Sequence, residues 1–255
     1  MIAIGGNAKM NQVYYDEYGN KKVCSASNKV FYDENGNKIL MNTGRGIIGY
    51  GLCGVVYPYG EGKCLKYITS GAYTNFGVIK DIKELALKQF YKIYTLLFNR
   101  NHDFNGYIMK YYQSEDIDIL TMPIAYTLDN LSGIIQDTKV ISEANILFRD
   151  LHSENIIFNN NGMTIIDVDN FDYSQIESPL EFNIDLVYGL FRNIYIESLV
   201  KNHKGSLEAA IVIRNLINNK ARNLVYDELK GYKYPIDYIK KKSLEPVKYV
   251  MKKGV

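Results

Sequence analysis

Two short polar segments joined by one turn constrain this chain more than any other feature. Residues 149–155 read Arg-Asp-Leu-His-Ser-Glu-Asn, and residues 164–169 read Thr-Ile-Ile-Asp-Val-Asp after a turn at 159–162. Apolar residues flank both segments, so the pattern predicts a hairpin with buried ends. The polar side chains that this hairpin would present are two carboxylates and one amide: Asp150, Asp167 and Asn155.

These three side chains have the chemistry that phosphoryl transfer to a hydroxyl requires. Such a set offers one carboxylate to orient and deprotonate the hydroxyl and two oxygen ligands for Mg²⁺. A carboxylate at the end of an apolar strand is costly without a cation, which favours metal binding over a structural role for Asp167. Asp169 is either a second metal or network carboxylate or the cap of a local turn.

A glycine-rich segment precedes this hairpin in the chain. Residues 49–56 fit the pattern G-x-G-x-x-G-x-V, whose fixed members are Gly49, Gly51, Gly54 and Val56. Glycines let backbone amides approach phosphate oxygens closely. Dinucleotide-binding folds use a similar pattern, but their glycines end a strand and open a helix. Here residues 55–57 continue as a strand, which predicts a turn between two strands that covers a phosphate.

A lysine and a glutamate follow the glycine-rich segment. Lys66 lies in a strand predicted over 63–68, and an inward-pointing strand lysine is costly unless it is paired. Glu84 is the candidate partner, on an amphipathic helix that apolar spacing predicts over 78–98. The alternative is that Glu84 is an ordinary glutamate on the exposed face of that helix.

In their order, these motifs resemble those of the protein kinase family over roughly residues 46–195. The resemblance implies a catalytic Asp150, a Lys66–Glu84 pair at the phosphates, and Asn155 and Asp167 as metal ligands. The implied cofactors are ATP and Mg²⁺, with Mn²⁺ as an alternative metal. The residues 117–122, predicted as a strand, would lead into the hinge beside adenine. The implied hinge residues are Met122, Pro123, Ile124 and Ala125.

The chain departs from the family pattern at positions that concern regulation and substrate. Phe148, Val168 and Asp169 stand where the family has His, Phe and Gly. His152 replaces the lysine typical of Ser/Thr kinases, so the positive charge there is lost or depends on pH. Only 18 residues lead from Asp167 to Asp185, without an A-P-E element. We therefore expect no ordinary activation segment.

The resemblance implies an α+β, two-lobed fold. A β-hairpin extension (1–45) would precede a β-rich N-lobe with one long helix (46–125) and a trimmed, mainly helical C-lobe (126–255). Helices are predicted over 184–202 and 206–230, with Ser206 as an N-cap. In the first of these helices, Asp185 is expected to brace the catalytic loop.

The N-terminal region contains a repeat. Residues 13–21 and 30–38 share the pattern Tyr-Asp-Glu-x-Gly-Asn-Lys between β-prone residues, which predicts two β-hairpins or a small meander. This repeat is either an extension packed on the kinase-like body or a module that recognises a partner through exposed tyrosines.

Charge and cysteine usage limit the partners and the compartment. A formal net charge of +2 argues against nucleic acid. The chain has three cysteines, a small and odd number that argues against a disulfide framework and indicates a reducing compartment. We expect neither a signal peptide in the first ten residues nor a membrane span. The expected location is cytoplasmic, with export by a route other than Sec as the alternative.

Three functions are compatible with these residues. The first is an atypical Ser/Thr protein kinase that phosphorylates a hydroxyl, and a protein acceptor is favoured over a small molecule. The second is a small-molecule kinase of the aminoglycoside or choline kinase type. The third is a pseudokinase that acts as a binding module, against which the complete set of catalytic residue types argues.

Overall fold

The computed structural model describes residues 12–15, 21–24, 28–51, 53–70, 74–160, 162–218, 223–224 and 231–244. They form a mixed α+β protein, as predicted, and divide into two compact units. The first unit holds the described residues up to Leu87 together with Tyr91–Gln113 and Asp167–Tyr173. The second holds Lys88–Phe90, Ser114–Ile166 and the described residues from Ser174 onward.

Both copies of the repeat form β-hairpins, as predicted. Strand β1 (Gln12–Tyr15) pairs antiparallel with β2 (Lys21–Cys24), and β3 (Asn28–Tyr32) pairs antiparallel with β4 (Lys38–Asn42). In the second copy, the Asp33 carboxylate accepts the backbone N–H of Asn35 at 2.9 Å and of Asn37 at 2.7 Å, which fixes the turn. The turn of the first copy, 16–20, lies outside the described residues.

A seven-stranded antiparallel sheet forms the centre of the first unit. Its other strands are β5 (Gly49–Tyr50), β6 (Gly54–Pro58), β7 (Lys63–Ile68), β8 (Ile93–Phe98) and β9 (Phe104–Lys110). The order across the sheet is β4-β3-β8-β9-β7-β6-β5. Strands β5 and β6 confirm the glycine-rich turn predicted between two strands, and β7 confirms the strand predicted over 63–68. The second repeat hairpin belongs to this sheet, because Tyr32 on β3 pairs with Phe98 on β8.

The two faces of this sheet differ in character. One face carries a hydrophobic core that consists of Phe31, Met41, Val55, Tyr57, Leu65, Leu97 and Ile108. Two of these residues come from the second hairpin, so that copy of the repeat has a structural role. Side chains alternate between the faces along a strand. Lys66 and its cross-strand neighbour Tyr107 therefore lie on the face opposite the core.

Helix α1 (Phe76–Glu84) is much shorter than predicted. It begins after Asn75, whose side chain accepts the Val78 N–H at 3.3 Å, and the backbone is already extended at Leu85. The prediction of a helix over 78–98, and with it the long N-lobe helix, is wrong beyond Glu84. Its last part is strand β8, rich in β-branched and aromatic residues, which pairs with β9. The apolar spacing of these residues is compatible with a helix and with a strand, and pairing with β9 makes them a strand.

The second unit is mainly helical. Its helices are α2 (Ile124–Glu143), α3 (Pro179–His203), α4 (Leu207–Leu216) and α5 (Pro235–Leu244). Its strand β10 (Ile146–Leu147) is followed by a hairpin of β11 (Ile156–Asn159) and β12 (Gly162–Ile165). The next strand along the chain, β13 (Asp172–Tyr173), belongs to the first unit. A second hairpin in the second unit consists of β14 (Ile217–Asn218) and β15 (Asn223–Leu224). The β11–β12 hairpin, α3 and the Ser206 cap of α4 confirm predictions. In the described part of the chain, no helix is both long and apolar enough to span a bilayer.

Two predictions for this unit are wrong. The helix predicted over 206–230 ends at Leu216, where β14 begins. The strand predicted over 117–122 is a turn: the Thr121 N–H donates to the Asp118 carbonyl at 3.0 Å, and the Asp118 carboxylate accepts the Leu120 N–H at 3.1 Å. Ile119 and Leu120 are buried, so the apolar pattern there reflects the burial of a turn.

The Asp118 carboxylate provides a test of pH-dependent stability. Burial raises the pKa of Asp118, but hydrogen bonds from Ser198, His203 and the Leu120 N–H outweigh burial and hold it below its ordinary value of 3.8. A carboxylate with a lowered pKa stabilises the fold above its ordinary pKa and loses that contribution as the pH falls through the folded value. We expect Asp118→Asn to cost about 1–2 kcal/mol at pH 7 and progressively less below pH ~4.

Urea unfolding across this pH range measures the effect. Asp116→Asn is the control, because its carboxylate is 89% exposed and lies 2.9 Å from Lys201 on the surface. We expect no measurable change in unfolding for the control. An Asp118→Asn cost that stays the same from pH 7 down to pH ~3 would contradict the account.

Candidate functional site

Lys66 lies near the middle of the sheet, on β7 between β6 and β9. Its cross-strand neighbours are Val56 and Tyr107. Gly106 lets β9 pass close to β7, because the φ angle of Gly106 is 150° and a Cβ added to Gly106 would collide with the Lys66 carbonyl oxygen. The Lys66 side chain is only 6% exposed. A cation so buried requires fixed negative charge beside it.

Asp167 and Asp169 supply that negative charge. The Lys66 Nζ lies 2.7 Å from Asp167 Oδ1 and 2.6 Å from Asp169 Oδ2. Burial lowers the pKa of Lys66, but the two carboxylates outweigh burial and raise it above its ordinary value. The predicted Lys66–Glu84 pair is wrong for this structure. Glu84 ends α1 on an exposed position, where its carboxylate accepts a hydrogen bond from Lys83 at 2.9 Å.

Two of the predicted site carboxylates stand on unusual backbone. The angle φ is 57° at Asp150 and 61° at Asp167. Few residues other than glycine enter this left-handed region, although aspartate tolerates it better than most. Such conformations cost free energy and cluster at functional sites. Both side chains remain accessible, with 53% of Asp150 and 35% of Asp167 exposed.

The loop that carries Asp150 is closed by Asn155. The Asn155 Nδ2 donates to the Asp150 carbonyl at 2.8 Å, and its backbone N–H donates to the His152 carbonyl at 3.0 Å. The Ile166 N–H donates to the Asn155 carbonyl at 2.8 Å. Because the amide nitrogen is used within the loop, the amide oxygen of Asn155 is the atom left to bind a ligand. His152 Nε2 lies 3.5 Å from Asp150 Oδ1.

Asn183 on α3 supports this loop and was not predicted as a site residue. Asn183 is fully buried; its Oδ1 accepts the Phe148 N–H at 2.8 Å, and its Nδ2 donates to the Ile146 carbonyl and to Ser142 Oγ, both at 2.9 Å. Asp185, which the resemblance assigned to this role, is exposed. Asn183 stands one residue before the helix predicted over 184–202 and four positions before the apolar Val187, and this position was the available signal, because buried polar side chains are hydrogen-bonded.

The glycine-rich segment forms the predicted turn between β5 and β6, where Gly49 pairs with Val56. The Gly51 N–H donates to the Gly54 carbonyl at 2.9 Å. A Cβ at Gly54 would collide with the Tyr67 carbonyl oxygen on β7, whereas a Cβ at Gly51 would meet no atom of the described residues within 4 Å. Gly54 therefore serves the packing of the sheet, and Gly51 leaves open space beside the turn.

This difference predicts unequal effects of two matched substitutions. Gly54→Ala is expected to lower the free energy of unfolding by about 1–3 kcal/mol, because its Cβ overpacks the approach of β6 to β7. Gly51→Ala is expected to change it by no more than ~0.5 kcal/mol. Urea denaturation of both variants measures this difference. Equal destabilisation would show that Gly54 has no special packing role.

The residues assigned to the hinge lie at the start of α2. The Pro123 carbonyl accepts the Tyr126 N–H at 2.9 Å, and the Ile124 N–H donates to the Lys233 carbonyl at 3.1 Å. Two of the backbone groups assigned to adenine are thus already paired within the second unit. Met122 is half-buried and Ala125 is exposed. The contacts of these residues with adenine remain a prediction.

The donor set fits a metal only in part. In the described residues, no group of three or more His, Cys, Asp or Glu side chains is placed to hold a metal ion. Asp169 has no exposed surface and its Oδ1 accepts the Tyr107 hydroxyl at 2.7 Å, so Asp169 is a network carboxylate. Asp167 does fit, since Mg²⁺ commonly uses one or two carboxylates when substrate phosphates supply further oxygens.

The first unit thus places a buried ammonium beside an accessible carboxylate, and the second holds a carboxylate in a closed loop. A lysine has three N–H donors, and two of those of Lys66 face carboxylates, which leaves one for an anionic ligand. Neither family models nor curated proteins match this chain. Its function must therefore be inferred from these residues.

Proposed function

We propose that this protein is an ATP- and magnesium-dependent phosphotransferase with a two-lobed, protein-kinase-like fold. In this proposal, the first unit is the β-rich N-lobe and the second is the mainly helical C-lobe. The observation that carries the proposal is the 2.7 Å contact between the buried Lys66 ammonium and Asp167. The contact joins the residue assigned to the phosphates with the residue assigned to the metal.

Each residue has a defined role in the proposed reaction. Lys66 binds phosphate oxygens of ATP, which the glycine-rich turn covers, and Asp167 and the amide oxygen of Asn155 are the groups that would hold Mg²⁺, or Mn²⁺ as the alternative. When bound, the metal neutralises charge on the transferring phosphate. Asp150 accepts the proton of the acceptor hydroxyl as its oxygen bonds to the γ-phosphorus. The bond from that phosphorus to the β–γ bridging oxygen breaks, and ADP leaves.

We propose a Ser/Thr hydroxyl of a protein as the acceptor, as in an atypical protein kinase. Helix α3 begins at Pro179, only 12 positions after Asp167, which supports a site without an ordinary activation segment. That short connection is equally compatible with a small-molecule acceptor, so the acceptor must be found by assay. His152 lies beside Asp150, where a Ser/Thr kinase would have its lysine, and is assigned to the same site.

We propose a cytoplasmic location. Cys53 and Cys64 are both free and buried. Burial raises the pKa of Cys64 to about 12, which keeps it in the unreactive thiol form. Small buried thiols of this kind suit a reducing compartment.

Incubation of the full chain with γ-labelled ATP and Mg²⁺ tests the proposal. We expect label on the protein or on an added protein acceptor, and none when the metal is chelated. Label on an added aminoglycoside or choline instead would identify a small-molecule kinase. The absence of transfer to any acceptor, together with no ATP binding, would contradict the proposed function.

A further inference from the structure

Asp169 is the most deeply buried partner of Lys66. Its carboxylate has no exposed surface, whereas 35% of Asp167 is exposed. The Lys66 Nζ lies 2.6 Å from Asp169 Oδ2. Removal of either partner would leave the charge of the other buried and uncompensated, so Lys66 and Asp169 stabilise each other in the charged form.

Two tyrosines hold the Asp169 side chain in place. The Tyr107 hydroxyl donates to Asp169 Oδ1 at 2.7 Å, and the Tyr91 hydroxyl donates to Tyr107 at 2.9 Å. Both rings are buried. Burial raises the pKa of Asp169, and the Lys66 ammonium and the Tyr107 hydroxyl oppose that rise. These contacts fix one carboxylate oxygen on the tyrosine and leave the other on the lysine.

Glu84 has other partners. It is 69% exposed and lies 2.9 Å from Lys83, which also lies 2.9 Å from Glu34 in the turn of the second repeat hairpin. The Glu34 carboxylate in turn accepts the Leu96 N–H of β8 at 3.2 Å. The charged side chains at the end of α1 therefore form ion pairs near the surface that do not involve Lys66.

We propose that Asp169 is the residue that positions Lys66 for ATP, in place of the helix glutamate that the sequence pattern indicates. This inference rests on the proposed function. Asp169 follows Asp167 by two residues, so one short segment supplies both the support of Lys66 and the candidate metal ligand. The orientation of Lys66 then does not depend on the placement of α1. The Asp at position 169, where the resemblance led us to expect glycine, is explained by this role.

Kinetic comparison of Asp169→Asn and Glu84→Gln in the full chain tests the inference. We expect Asp169→Asn to lower kcat/KM for ATP by about 10- to 100-fold, because a misplaced lysine binds the phosphates poorly. Glu84→Gln is expected to remain within about threefold of the wild type. Tyr107→Phe, which removes only the hydroxyl that holds Asp169, is expected to act in the same direction as Asp169→Asn with a smaller effect.

A double-mutant cycle in urea unfolding tests the pairing without reference to activity. We expect the stability effects of Lys66→Met and Asp169→Asn to be strongly non-additive, and those of Lys66→Met and Glu84→Gln to be additive. Additive effects of Lys66→Met and Asp169→Asn, or a larger kinetic loss in Glu84→Gln than in Asp169→Asn, would overturn the inference. A wild type that transfers no phosphate and binds no ATP would overturn the proposed function, and the cycle would still test the Lys66–Asp169 pairing.

Discussion

Asp150→Asn is expected to lower the rate of phosphate transfer by about 10²–10⁴-fold, the usual contribution of a general base. Asparagine tolerates left-handed backbone about as well as aspartate does, so it should keep the φ of 57° found at this position. The amide cannot accept the hydroxyl proton. The loss should therefore appear in kcat, while the affinity for ATP changes little.

Single-turnover transfer from γ-labelled ATP measures this effect. Asp116→Asn is a suitable control, because it removes an exposed carboxylate from the same unit. We expect the control to transfer phosphate at the wild-type rate. If Asp150→Asn retained that rate as well, Asp150 would not be the base, and the loop from 150 to 155 would need another role.

Lys66→Met is expected to lower the free energy of unfolding by about 3–5 kcal/mol, because it leaves the buried Asp169 carboxylate without its cation. Burial already raises the pKa of Asp169. Without Lys66 this pKa rises further, and protonation then relieves the unpaired charge. The penalty should accordingly be larger at pH 8 than at pH 5.

Urea denaturation at both pH values measures the penalty. Lys63→Met on the same strand is the control, since Lys63 is exposed, and a change of no more than ~0.5 kcal/mol is expected. The double variant Lys66→Met/Asp169→Asn should recover most of the loss, because it buries no unpaired charge. A Lys66→Met variant as stable as Lys63→Met would contradict the buried ion pair.

Local sequence patterns predicted the parts of the fold that depend on neighbouring residues. The second repeat hairpin follows from turn chemistry at Asp33, and the β11–β12 hairpin follows from two apolar runs around a turn. The sequence pattern assigned Asn155 to metal binding and did not predict that it closes the loop, although Asp150 and His152, its partners within the loop, lie within five positions. Such features need no knowledge of the rest of the chain.

Features that depend on distant partners could not be predicted in the same way. The residues of β8 fitted a helical spacing, and only pairing with β9 makes them a strand. The Lys66–Asp169 contact joins residues on separate parts of the chain, and the tyrosine that orients Asp169 becomes visible only when β9 lies beside β7. A glutamate at the usual sequence spacing suggested a different pair.

Titration calorimetry with ATP tests the central claim most directly, because it needs no knowledge of the acceptor. The wild type should bind ATP, and its affinity should fall by at least about 10-fold when Mg²⁺ is chelated or when Asp167 is changed to Asn. The structure supports this expectation through the Lys66–Asp167 contact of 2.7 Å. No ATP binding, or binding that neither Mg²⁺ nor Asp167→Asn alters, would contradict a magnesium-dependent phosphotransferase.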